Sequence, residues 1–170
     1  MKKVLVAAKI HPDAVELLED TEGFEVEELH YPDQDVLKDK IKDFNAIIVR
    51  SKPRMTSEII EAGENLEVIG RAGVGLDTID TEKAEELGIE VKNVPEAPTR
   101  SVAEHALTLM LGAAREVGKA HQGLKNNSWR KGDIMGNELR GKNLGIVGFG
   151  KIGYETAKIG DALGMNIFYY

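Results

Sequence analysis

The sequence predicts an α/β fold built on parallel strands, arranged as two successive units. Three observations carry this. Short apolar runs alternate with helix-forming segments from the first residues onward, the pattern of a parallel sheet covered on both faces. One stiff polar segment with two prolines, Pro95-Glu96-Ala97-Pro98-Thr99-Arg100, interrupts the alternation. Beyond it, a Gly-x-Gly-x-x-Gly pattern stands between an apolar run and a helical one.

The elements follow in order. Residues 3–8 form the first strand, a continuous apolar run bounded by lysines. Residues 12–20 form a helix with Pro12 in its first turn, where a missing N–H costs nothing. Strands over 24–29 and 46–50 are separated by a helix over 35–42. A short helix over 57–62 leads to a strand over 66–70. A helix over 81–87 ends at Gly88, a residue suited to the left-handed cap, and a fifth strand covers 89–94. Five strands make one small doubly wound unit ending near Val94. After the proline segment, Ser101-Val102-Ala103-Glu104 reads as a capping box. It opens a helix over 101–118 that is apolar most of the way round, through Val102, Ala106, Leu107, Leu109, Met110, Leu111 and Val117. A helix of this kind buries more than one side and is expected to pack between units or against a second subunit. A polar stretch with Trp129 follows, to which no chemistry attaches.

Composition narrows the function. The 170 residues carry a net charge of −7, which disfavours nucleic acid and anionic membrane surfaces as partners. No apolar run reaches bilayer-spanning length, and the chain opens on a strand rather than on a signal segment. There is no cysteine, so disulfides and thiolate metal sites are excluded; the expected compartment is the cytoplasm.

The most informative run is Asn143-Leu144-Gly145-Ile146-Val147-Gly148-Phe149-Gly150-Lys151-Ile152-Gly153. It reads as buried strand, glycine loop and helix. Gly148 permits the tight turn, Gly150 lets the backbone approach a pyrophosphate, and Gly153 allows the helix to pack on the strand. The helix then points unpaired N–H groups and its positive dipole end at the phosphates. A final strand begins at Asn166. A dinucleotide site places an acidic residue about 20 positions beyond its glycines, at or past Tyr170.

In open parallel sheets, ligands bind outside the C-terminal strand ends. Two strands of the first unit run into arginine there, at Val49-Arg50-Ser51 and at Gly70-Arg71-Ala72-Gly73-Val74-Gly75-Leu76-Asp77. Arg50, Ser51 and Arg71 beside a glycine loop suit a small carboxylate or phosphate ester. The alternative is that the arginines pair with Asp77 or Asp80. The histidines, His11, His30, His105 and His121, read as surface or packing residues. No His-x-x-x-His, Gly-x-Ser-x-Gly or Walker-type loop occurs.

These motifs, together with Ser101-Val102-Ala103-Glu104-His105, occur in one order, and with them the chain resembles the NAD-dependent D-2-hydroxyacid dehydrogenases. Within that family the members acting on 3-phosphoglycerate are the nearer likeness. The resemblance implies a flavodoxin-like substrate domain over 1–97 and the beginning of a Rossmann dinucleotide-binding domain over 98–170. It implies substrate contacts at Arg50, Ser51, Arg71, Gly73, Val74 and Gly75. It implies NAD contacts at Val74, Gly148, Gly150, Lys151, Ile152 and Gly153, and a homodimer or larger assembly through the helix over 101–118. The implied reaction is oxidation of a D-2-hydroxyacid, with 3-phospho-D-glycerate of serine synthesis favoured. A glyoxylate or hydroxypyruvate reductase, or a non-catalytic dinucleotide-sensing or protein-binding module, is the alternative. The family's catalytic arginine, acidic residue and histidine match nothing here, so no catalytic residue is assigned and the 170 residues are expected to be inactive alone. Phosphoglycerate members carry an Asn near the position of Pro98, where this chain reads Glu96-Ala97-Pro98-Thr99.

Overall fold

Strands β1 (Lys2–Val6), β2 (Phe24–Glu28), β3 (Ala46–Val49), β4 (Val68–Arg71) and β5 (Glu90–Asn93) form an all-parallel sheet in the order β2-β1-β3-β4-β5. This is the flavodoxin-like order. The computed structural model describes residues 1–128, 132 and 134–170, and the chain divides into two units, Met1–Pro95 and Glu96–Tyr170.

The strands pair because alternate positions line up across the sheet. Leu5, Ile47, Ile69 and Val91 share one row. The first three are fully buried, which stabilises the unit by about 1.5–3 kcal/mol per side chain. Helices α2 (Gln34–Lys40), α3 (Ser57–Ala62) and α4 (Thr81–Glu86) cover that face with Leu37, Ile59, Ile60 and Ala84. Helix α1 (Pro12–Glu19) packs against β2 with Val15 buried. The other face is not fully covered, contrary to the expectation of two clad faces: Ala46, Ile48 and Val68 are only half-buried.

The strand and helix positions agree with the sequence expectation, and their ends differ by one or two residues. Strand β4 starts at Val68 rather than Leu66, since Leu66 turns in to join the core. A single 3-10 turn, Ile41–Asp43, follows α2.

In the second unit, α5 (Thr99–Ala114) and α6 (Val117–Lys125) precede β6 (Asn143–Ile146), α7 (Lys151–Ala162) and β7 (Asn166–Tyr169). Strands β6 and β7 pair in parallel and are joined by α7. Helix α5 packs on α7, and Met110 and Ala114 join Leu139, Leu144 and Met165 in a small core.

Two expectations for this unit need correction. The capping box does not form. The helix starts at Thr99, so Ser101 already lies inside it and donates its hydroxyl to the Pro98 carbonyl at 3.0 Å, while Glu104 pairs with Arg100 at 2.6 Å. The helix also does not run to residue 118. It stops at Ala114, and Glu116 takes a left-handed conformation (φ 52°) before α6 restarts. Within the chain α5 buries Ala103 and Leu107 and leaves Val102, Leu109 and Leu111 exposed. Trp129 lies outside the described residues. No helix among the described residues is long and apolar enough to cross a membrane.

Candidate functional site

In the first unit the arginine edge forms as the sequence predicts. Val49, Arg71 and Asn93 share one row at the C-terminal ends of β3, β4 and β5, and Arg50 and Ser51 follow β3 directly, both exposed. Neither arginine pairs with a carboxylate among the described residues. Asp80 instead caps α4, accepting from the Lys83 N–H at 3.0 Å. The Arg50 guanidinium makes one long contact, 3.5 Å to the Lys9 carbonyl. A charged, exposed group so weakly engaged is available to an anion.

Arg71 behaves differently. Its Nε donates to the Gly75 carbonyl at 3.1 Å and its Nη1 to the Ala72 carbonyl at 2.9 Å, so it spans the glycine loop from below. The absence of a side chain at Gly73 makes room for this, because a Cβ there would sit 2.3 Å from Arg71 Nη1. The loop's N–H groups at Val74, Gly75 and Leu76 have no acceptor among the described residues. Consecutive unpaired N–H groups form an anion-binding concavity, with Val74 exposed at its rim.

In the second unit the glycine pattern sits between β6 and α7. Gly148 has φ +93°, a left-handed turn that L side chains resist. Gly150 is the N-cap of α7, without a side-chain cap. The N–H groups of Gly150, Lys151 and Ile152 have no acceptor among the described residues. A Cβ on Gly150 would meet nothing within 4 Å, whereas one on Gly153 would lie 2.4 Å from the Gly148 carbonyl oxygen. The helix therefore starts against its own entering loop, and open space lies over bare amides. That arrangement fits a pyrophosphate. Ile152 is partly exposed at the same mouth. Lys151 pairs with Glu96, and hydrogen bonding to Lys151, then its charge, holds the Glu96 carboxyl below the usual carboxylate range.

Sequence reasoning missed four contributors. Glu96 neutralises the lysine at the phosphate mouth. Asn93 reaches the glycine loop of the first unit. Gly160, rather than Gly153 alone, sets the helix-to-sheet approach, since a Cβ there would be 2.7 Å from Leu144 Cδ2. Phe149, inside the glycine pattern, stacks on Tyr169 at the end of β7, with ring centroids 4.0 Å apart. Only Phe149 carried a signal, as an aromatic residue within the motif.

The histidines take structural or exposed positions. His11 caps α1, His30 lies 2.7 Å from Glu28, and His105 and His121 are exposed on α5 and α6. Among the described residues no cluster of His, Asp or Glu could hold a metal ion.

Comparison with known proteins shows the family. Residues 4–167 match the family model described as D-isomer specific 2-hydroxyacid dehydrogenase, catalytic domain. A hydroxypyruvate reductase of Thermotoga maritima is 45% identical over 99% of this chain and 55% of its own length. A D-3-phosphoglycerate dehydrogenase of Methanocaldococcus jannaschii is 46% identical over 100% of this chain and 32% of its own. Among solved structures, an NAD+-bound 3-phosphoglycerate dehydrogenase of Entamoeba histolytica superposes with a TM-score of 0.78 at 33% identity, covering 99% of this chain and 53% of that one. The chain spans between a third and about half the length of these relatives, and over that span it belongs to the D-isomer specific 2-hydroxyacid dehydrogenase family.

Proposed function

We propose that this member of the D-isomer specific 2-hydroxyacid dehydrogenase family supplies the anion-binding and pyrophosphate-binding parts of an NAD-dependent oxidation of 3-phospho-D-glycerate, the opening step of serine synthesis. The observation that carries the reading is the pair of bare-amide loops, at Val74–Leu76 and at Gly150–Ile152. Each stands at the C-terminal end of a parallel strand, where such sheets bind ligands.

The residues divide the work by their chemistry. Arg50, with its guanidinium almost free, would take the substrate's charged end in a bidentate grip. The N–H groups of Val74, Gly75 and Leu76 would orient a carboxylate through charge-assisted hydrogen bonds, which are roughly twice as strong as neutral ones. Gly150 and the first turn of α7 would hold the pyrophosphate, with Lys151 as a point charge once it leaves Glu96. NAD, when bound, supplies the hydride acceptor. No residue here is assigned proton transfer, which contributes about 10² to 10⁴ in rate, so the 170 residues bind without turning over. Steady-state assay of the purified chain with NAD and 3-phosphoglycerate is expected to show no NADH formation; measurable turnover overturns this. Loss of the Arg50 contact in Arg50→Ala should weaken 3-phosphoglycerate binding about 10- to 150-fold by calorimetry.

A second reading is a hydroxypyruvate reductase: the Glu96-Ala97-Pro98-Thr99 segment lacks the Asn of the phosphoglycerate members, and the 45% identity to the Thermotoga enzyme stands level with the 46% to the Methanocaldococcus one. Competition between 3-phosphoglycerate and hydroxypyruvate for the chain separates them.

A further inference from the structure

Four successive carbonyls of the glycine loop are tied back to the fold. Ala72 accepts from Arg71 Nη1 at 2.9 Å, Gly73 from the Val94 N–H at 3.1 Å, Val74 from Asn93 Nδ2 at 2.7 Å, and Gly75 from Arg71 Nε at 3.1 Å. Each carbonyl shares a rigid planar peptide with the next residue's N–H, and the two point in opposite directions. Anchoring a carbonyl therefore aims the N–H that follows it. The Gly73 carbonyl aims the Val74 N–H, the Val74 carbonyl aims the Gly75 N–H, and the Gly75 carbonyl aims the Leu76 N–H. Those three N–H groups are the ones without an acceptor among the described residues.

Of the three anchors, one is a main-chain N–H and one is the arginine already assigned to the site. The remaining anchor is Asn93, half-buried at the end of β5, in the same row as Arg71 on the neighbouring strand. We propose that Asn93 is a positioning residue: its side-chain amide fixes the Val74–Gly75 peptide plane and so aims the Gly75 N–H at the substrate's carboxylate. This rests on the reading of the loop as the substrate cradle. Without the Asn93 amide, the Val74 carbonyl has no other partner among the described residues. Its peptide is then free to turn the carbonyl outward, which would present an acceptor to an anion and withdraw the donor.

The test uses the full 170-residue chain labelled with ¹⁵N and titrated with oxalate, a small dicarboxylate probe. In the native chain oxalate is expected to shift the amide resonances of Val74, Gly75 and Leu76. Asn93→Leu keeps the branched shape and removes the donor. It should weaken oxalate about 3- to 10-fold, the cost of one misaimed hydrogen bond, and abolish the Gly75 shift more than those of Val74 and Leu76. Its β1 amides and melting temperature should be unchanged, and Asn93→Gln, with an amide on a longer arm, should restore part of the affinity. If Asn93→Leu disturbs β5, Asn93→Ser, too short to reach, reads the same loss. An unchanged affinity and Gly75 response in a folded Asn93 variant overturns the assignment. No oxalate response at this loop in the native chain overturns the cradle reading itself, and the role of Asn93 with it.

Discussion

Gly150 and Gly153 lie three positions apart, and a methyl group added to each meets opposite surroundings. At Gly150 it enters open space, with the backbone in an extended conformation (φ −82°, ψ −165°) that any residue adopts. At Gly153 it drives into the Gly148 carbonyl. Gly150→Ala should therefore melt like the native chain but bind NAD about tenfold more weakly, since the methyl keeps the pyrophosphate off the amides. Gly153→Ala should destabilise the second unit by about 1–3 kcal/mol, the usual range for overpacking. Thermal melts and calorimetry on the two variants check the contrast. The Glu96–Lys151 pair gives a pH prediction. The folded-state pKa of Glu96 is lowered, so its stabilising contribution is present above the ordinary glutamate pKa and lost as pH falls through the folded value. The pair is exposed, so the effect on stability is small, but an NMR titration should place the Glu96 midpoint below that of Glu96 in Lys151→Met. Equal midpoints contradict the pairing. Arg50, Arg71 and the glycines were legible in the sequence because their chemistry is intrinsic to residue type. Asn93 and Glu96 were not, because their roles come from partners 19 and 55 residues away that only the folded chain brings near.

The strands were legible as elements because burial on the α2–α4 face requires apolar side chains at alternate positions. Their ends were not, since pairing partners rather than local composition decide where a ladder stops. The clearest failure was the start of α5. The Ser101-x-x-Glu104 spacing satisfies the capping pattern, but Arg100 offers Glu104 an ion pair one turn along the helix, and the backbone turns at Pro98. The break between α5 and α6 was equally hidden, because Glu116 is a poor candidate for a left-handed residue. The row Leu5–Ile47–Ile69 should carry most of the first sheet's stability. Ile69→Ala, at a fully buried position in β4, should cost about 2–5 kcal/mol in denaturant unfolding of that unit. A change within about 0.5 kcal/mol, the range of surface substitutions, would place the core elsewhere.

At the scale of the whole molecule, family membership and the two loops with unpaired N–H groups are what the proposed binding role rests on. The exposed apolar side chains of α5 and α6, Val102, Leu109, Leu111, Val117 and Leu124, extend the proposal to self-association. Sedimentation velocity should show a dimer or larger species, and a clean monomer across the micromolar range contradicts it. Titration of the ¹⁵N-labelled chain with NAD reads directly whether the bare amides at the start of α7 hold a pyrophosphate. Amide shifts are expected to concentrate at Gly148, Gly150, Lys151, Ile152 and Gly153, with the Glu96 side chain released from Lys151. Saturable NAD binding that leaves those amides unmoved, or no binding at all, would contradict this.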